Sequence, residues 1–165
     1  MNASELTQRI LTIQSFVFFC ALMITSLFTR GFFIRKLQIS RTQFLLLSAS
    51  INVIFALTLR WWSWIGTPPM FWLVNTNSWR NAFVIDANWI FNCLLFIPAS
   101  YLLTKFIKKP IFSILIFILV SFGIETLQGI FEWGASDPAD WVANSTGAIV
   151  GVLLTQLFRD RKSVA

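Results

Sequence analysis

The sequence predicts an all-α integral membrane protein. It reads as a bundle of about five transmembrane helices, with the N-terminus outside and the C-terminus in the cytoplasm. Three observations carry this. Of 165 residues, 56% are hydrophobic and only 12% are charged, about half the charged share of a soluble domain. The apolar residues gather into stretches near the roughly 20 residues that cross a hydrocarbon core. The cations cluster in alternate links between those stretches. Only helices or closed barrels satisfy the backbone in lipid, and these spans are too long and too uniformly apolar for barrel strands.

The first span covers residues 10–29. It is expected to be a retained helix rather than a cleaved signal. One cation, Arg9, precedes it, while Arg30, Arg35, Lys36 and Arg41 follow, the reverse of the order in a signal peptide. The second span, 42–59, carries Asn52. The third, 81–104, carries Asn81, Asp86, Asn88 and Asn92. The fourth, 110–131, opens on Pro110. The fifth, 141–158, follows Asp137-Pro138-Ala139-Asp140, which reads as a helix start with Asp at the N-cap and Pro at the first position. Between the second and third spans, residues 60–80 hold Trp61, Trp62, Trp64 and Trp72 around Gly66, Pro68 and Pro69. Prolines and glycine break regular structure, and tryptophan favours the headgroup layer. A loop or short helix on the outer membrane surface is expected there. The chain reads as a single domain, 1–165.

Ten of the 13 cations fall in one set of links, and three (Arg9, Arg60 and Arg80) fall in the other. The basic set marks the cytoplasmic side. Glu5, Glu132, Asp137 and Asp140 all fall outside. No basic helix face or tail exists to track phosphates, so nucleic acid is not an expected partner. Cys20 and Cys93 lie inside apolar stretches and read as small hydrophobes. There is no histidine, which removes imidazole triads and the usual metal sites. No metal and no cofactor is expected.

Polar residues inside lipid must be paired or face a cavity. Ser121, Glu125, Gln128 and Glu132 share one helical stripe. Asp137, Asp140, Asn144, Gly147 and Gly151 share another, and Asn81, Asn88 and Asn92 a third. Helix rise places Glu125 about 10 Å, Asn144 about 6 Å and Asp86 about 9 Å below the outer ends of their spans. The expected site is an outward-facing polar pocket of Glu125, Gln128, Asp140, Asn144, Asp137, Asp86 and Asn92. Glu125 is expected to find its partner in Gln128, Asn144 or an arginine. Asp140 either joins the pocket or only caps its helix with Asp137. Gly147 and Gly151, a small-x-x-x-small pair, are expected to pack helices closely, and Asn52 to bond helix to helix.

Three helices then carry a resemblance. Phe96-Ile97-Pro98 after Asn92, Ser121-x-x-x-Glu125-x-x-Gln128, and Asp137-x-x-Asp140-x-x-x-Asn144-x-x-Gly147-x-x-x-Gly151 resemble the VanZ-like family of small bacterial membrane proteins. The resemblance covers residues 81–151, within a family-like core of about 81–158. It implies a multi-pass protein of the bacterial cytoplasmic (inner) membrane. The family's namesake is linked to resistance to teicoplanin, a glycopeptide with a fatty tail. The resemblance implies Glu125, Gln128, Asp140 and Asn144 as functional positions and Pro98 as a helix-shaping one. The family commonly carries an arginine between its Gln and first Asp. Residues 129–136 here hold no cation, so the usual counter-ion for the acids is missing, with Arg60 or Arg80 as substitutes.

Three functions follow as expectations. The first is an envelope protein binding a lipid-linked or lipid-tailed molecule in the outward pocket, with the aromatic link holding the acyl part. The second is an intramembrane enzyme acting on an envelope lipid, with Glu125 as the acid and Asp140, nearer water, as the base. Cys93 lacks a basic neighbour to form a thiolate, so no nucleophile serves it. The third is a small transporter subunit, disfavoured by the lack of internal repeats.

Overall fold

A computed structural model describes residues 3–59, 76–133 and 136–161. It contains α1 (Ala3–Leu37), α2 (Arg41–Thr58), α3 (Thr76–Asn81), α4 (Ala87–Ile107), α5 (Pro110–Phe131) and α6 (Pro138–Arg161). Five of these are long and apolar enough to cross a membrane, and α3 is a single short helix. Among the described residues there are no strands.

Local chemistry sets the ends of the helices. Ser40 caps α2 through a reciprocal box: the Gln43 N–H donates to Ser40 Oγ at 3.2 Å, and the Ser40 N–H donates to Gln43 Oε1 at 2.8 Å. Each bond satisfies a donor that the helix itself cannot. Asp86 caps α4, accepting from the Trp89 N–H at 2.8 Å. Pro110 starts α5, where its missing N–H costs nothing. Gln38, Lys108 and Glu132 take positive φ and reverse the chain after α1, α4 and α5.

Two boundaries differ from expectation. α1 runs on to Leu37, so Arg30, Arg35 and Lys36 stand on the helix rather than in a link. Arginine and lysine are good helix formers, and their long stems reach polar surroundings from within a span. The third predicted span loses its first turns, because residues 82–86 are irregular and α4 begins at Ala87. The predicted aromatic link, 60–80, lies outside the described residues as far as residue 75. Its last turn is α3, which packs on α6 with the Trp79 and Trp141 rings edge to face, centroids 5.9 Å apart.

Helices α4 and α6 form the tightest pair. α6 presents Gly147 and Gly151, both buried, to α4. A Cβ on Gly147 would fall on the backbone carbonyl of Cys93, and one on Gly151 on Ser100 Oγ and the Ile97 carbonyl. Only glycine lets the backbones approach this closely. Thr155 adds a hydrogen bond to the Tyr101 carbonyl at 3.2 Å. α5 closes the other side of α6, and α2 lies on α4. The core between them holds Leu47, Ile54, Phe96, Phe117 and Ile124, with the Phe96 and Phe117 rings edge to face. α1 packs chiefly on α2. The bundle therefore has two chemically distinct ends. The C-termini of α2 and α5 meet the N-termini of α4 and α6 at an acidic end. The α1–α2 and α4–α5 turns share the other, basic end.

Candidate functional site

The acidic end gathers most of the buried polar side chains that sequence reasoning singled out. Glu125 is 1% exposed on α5. It takes the Asp137 N–H at 2.8 Å and the hydroxyl of Ser136. These donors come from the chain entering α6, where helix polarity favours a carboxylate. The expected partners Gln128 and Asn144 are bonded elsewhere. The physical reason is direction. Gln128 points towards α2, and its Nε2 donates to the Thr58 carbonyl at 2.8 Å, tying α5 to an orphan acceptor in the last turn of α2. Asn144, 1% exposed, donates to Ser121 Oγ at 3.0 Å across the α5–α6 seam.

Asp140 turns towards α4. Its Oδ1 accepts from Asn92 Nδ2 and from Asn88 Nδ2, the latter at 3.0 Å. Asn88 and Asn92 stand one turn apart on α4, so a single carboxylate oxygen can meet both. Asp137 does the capping: its Oδ1 accepts the Ala139 N–H at 2.8 Å. The two aspartates thus divide the roles that the sequence left open between them. Glu125 and Asp140 hold separate partners, the first at the entry to α6 and the second on α4.

Asp86 departs from its predicted place. It is exposed at the start of α4 and caps that helix, because the chain does not enter the helical span until Ala87. Pro98 lies exposed on the α2 side of α4, away from the Gly147–Gly151 seam. A proline within a helix frees the carbonyl four residues earlier, which here belongs to Leu94. Ser136, Asn88 and the Thr58 carbonyl join the site without having been proposed for it. Asn88 was legible as a stripe-mate of Asn92. The other two depend on how segments meet and leave no sequence signal.

The site is rich in acceptors. Gln128 Oε1 and Asn144 Oδ1 are buried with no partner among the described residues, and no described cation pairs with Glu125 or Asp140. The same residues form no group of three or more metal-ligating side chains. Carboxylates with no described counter-ion disfavour an anionic ligand.

Beside it runs a groove of about 650 Å³ between α2 and α4. Its walls include Val53, Leu57, Phe91 and Leu94, all exposed and apolar, together with Asn88 and Asn92. The groove therefore joins a surface suited to lipid tails to the two amides that hold Asp140.

The family described as VanZ/LLP1 matches residues 15–159. The chain belongs to the VanZ/LLP1 family. The match reaches well beyond the motif-bearing helices into α1 and α2, so the whole bundle, rather than its second half, is the family unit. Neither a curated protein sequence nor a solved structure matches the chain.

Proposed function

We propose that this VanZ/LLP1 protein binds a lipid-linked or lipid-tailed molecule of the bacterial cell envelope. The tail lies in the α2–α4 groove, and the polar head meets Asn88, Asn92 and Asp140 at the acidic end. One observation carries the reading: Asn88 and Asn92 line the groove and also donate to Asp140. Carboxylates without a described counter-ion favour a head bearing hydroxyls or amines, such as a glycan or glycopeptide, over an anionic one. In the proposed orientation this end faces outward, with the N-terminus outside, the C-terminus in the cytoplasm and the bundle in the cytoplasmic membrane. The separate partners of Glu125 and Asp140 favour binding over paired acid and base catalysis.

The test compares teicoplanin with vancomycin, which lacks the fatty tail, in a sensitive Gram-positive host. The host carries the protein, Asp140→Asn, Leu57→Trp (which fills the groove) or an empty vector, at matched membrane levels. Selective protection against teicoplanin, lost in both variants, is the expected result. Protection that survives both variants would disprove the groove-and-cluster arrangement. No protection from well-expressed protein would remove the antibiotic from the reading.

A further inference from the structure

We propose a second ligand site at the basic end of the bundle, independent of the first: a cavity between α1, α2, α4 and α5 that seats an acyl chain of an anionic phospholipid, with the phosphate on Arg30. The cavity measures about 360 Å³ and is walled by Phe33, Phe44, Leu47, Leu103, Ile116 and Phe117 among others. It exists because α1 leans on α2 and leaves a gap towards α5.

Water does not suit this space. At about 30 Å³ each, roughly a dozen waters would be needed, and each wants two to four polar partners. The polar groups on the wall are largely occupied by protein. Ser26 Oγ donates to the Leu22 carbonyl, Thr29 Oγ1 donates to the Ser26 carbonyl, and Asn52 Nδ2 bonds Ser26 and Ser48. Hydrocarbon fits the remainder, and in a bilayer the hydrocarbon at hand is a lipid tail.

Arg30 supplies the charge. Arg30 is exposed and does not itself line the cavity, but helical spacing puts it on the face of α1 that carries Ser26, Phe33 and Leu37, which do. It stands seven residues before the end of α1, about 10 Å inward. A cation at that depth needs an anion or a path to the interface. Among the described residues no carboxylate pairs with it. A guanidinium matches a phosphate bidentately. Arg41, Lys105, Lys108 and Lys109 lie at the same end and draw anionic headgroups towards it. Arg35 projects about half a helical turn away from the cavity face and provides an internal control.

The experiment purifies the full chain in mild detergent after reconstitution into phosphatidylglycerol and phosphatidylethanolamine at equal amounts. Native mass spectrometry reads the retained lipid and the oligomeric state. Phosphatidylglycerol should be retained in preference. Arg30→Gln should lower its retention about fivefold, the effect of one basic residue near an anionic surface. Arg30→Lys should retain part of it, and Arg35→Gln should match the unaltered protein. Ile51→Trp, which fills the cavity, should release the lipid; if that variant misfolds, the Arg30 and Arg35 comparison still decides. Equal retention of both lipids, unaffected by Arg30→Gln, would mean surrounding lipid only and overturn the site. Equal loss in Arg30→Gln and Arg35→Gln would mean diffuse attraction and overturn it as well. A lipid-free dimer would show that a second copy covers this face instead.

Discussion

Replacing Gly147 with alanine probes the seam on which the acidic end is built. The added Cβ would fall on the Cys93 carbonyl, which belongs to α4 backbone and cannot rotate aside. α4 and α6 must then separate. Cys93 follows Asn92 directly, so separation pulls the Asn88 and Asn92 amides from Asp140. Overpacking of this kind costs about 1–3 kcal/mol. Two interhelical hydrogen bonds add about 0.6 kcal/mol each. Alanine returns up to about 1 kcal/mol in helix propensity. The balance is a loss of about 1–3 kcal/mol on the same bookkeeping. Gly123→Ala is the matched control. A Cβ there meets nothing within 4 Å, so only the propensity gain of up to about 1 kcal/mol remains. The two glycines, 24 residues apart on neighbouring helices, should therefore shift stability in opposite directions. Unfolding in mixed detergent micelles, followed by circular dichroism, measures both. A Gly147→Ala protein as stable as Gly123→Ala would refute the close approach of α4 to α6.

Other expectations follow from the same geometry. Gln128→Leu strands the Thr58 carbonyl and should cost about 1 kcal/mol in the same unfolding assay, as a typical lost hydrogen bond does. Ser40→Ala removes half of a capping box and should cost about 1 kcal/mol, whereas Ser40→Asn should cost little. Asn92→Leu leaves Asp140 with Asn88 alone, so it should reduce teicoplanin protection at unchanged membrane level, measured in the susceptibility assay. Orientation is tested by single cysteines in a background lacking Cys20 and Cys93. Glu132→Cys should react with a membrane-impermeant maleimide on intact cells, and Lys108→Cys only after permeabilisation. The reverse pattern would invert the bundle and put the acidic end in the cytoplasm.

Much of this protein was decided by composition and period. Five long apolar spans leave the backbone no other way to satisfy its hydrogen bonds in lipid than as helices, and the structure has five such helices. The three-and-four spacing of polar residues put Asn88 with Asn92, and Ser121 with Glu125, on shared faces before any tertiary contact was known. Asp137-Pro138 announced the start of α6, and the Gly147–Gly151 pair announced a close seam. What a stripe cannot state is which neighbour it faces. Glu125 and Gln128 lie one turn apart on α5, yet one turns to the entry of α6 and the other to the end of α2. Asp140 faced a choice between capping and crossing to α4, and only the packing of α4 on α6 resolved it. Asp86 was judged by its distance from Arg80, and the irregular turn at residues 82–86 moved it out of the span. Local period follows from covalent geometry and is written in the chain. The pairing of faces depends on how helices rotate against one another, and that comes from the sum of all contacts in the folded bundle.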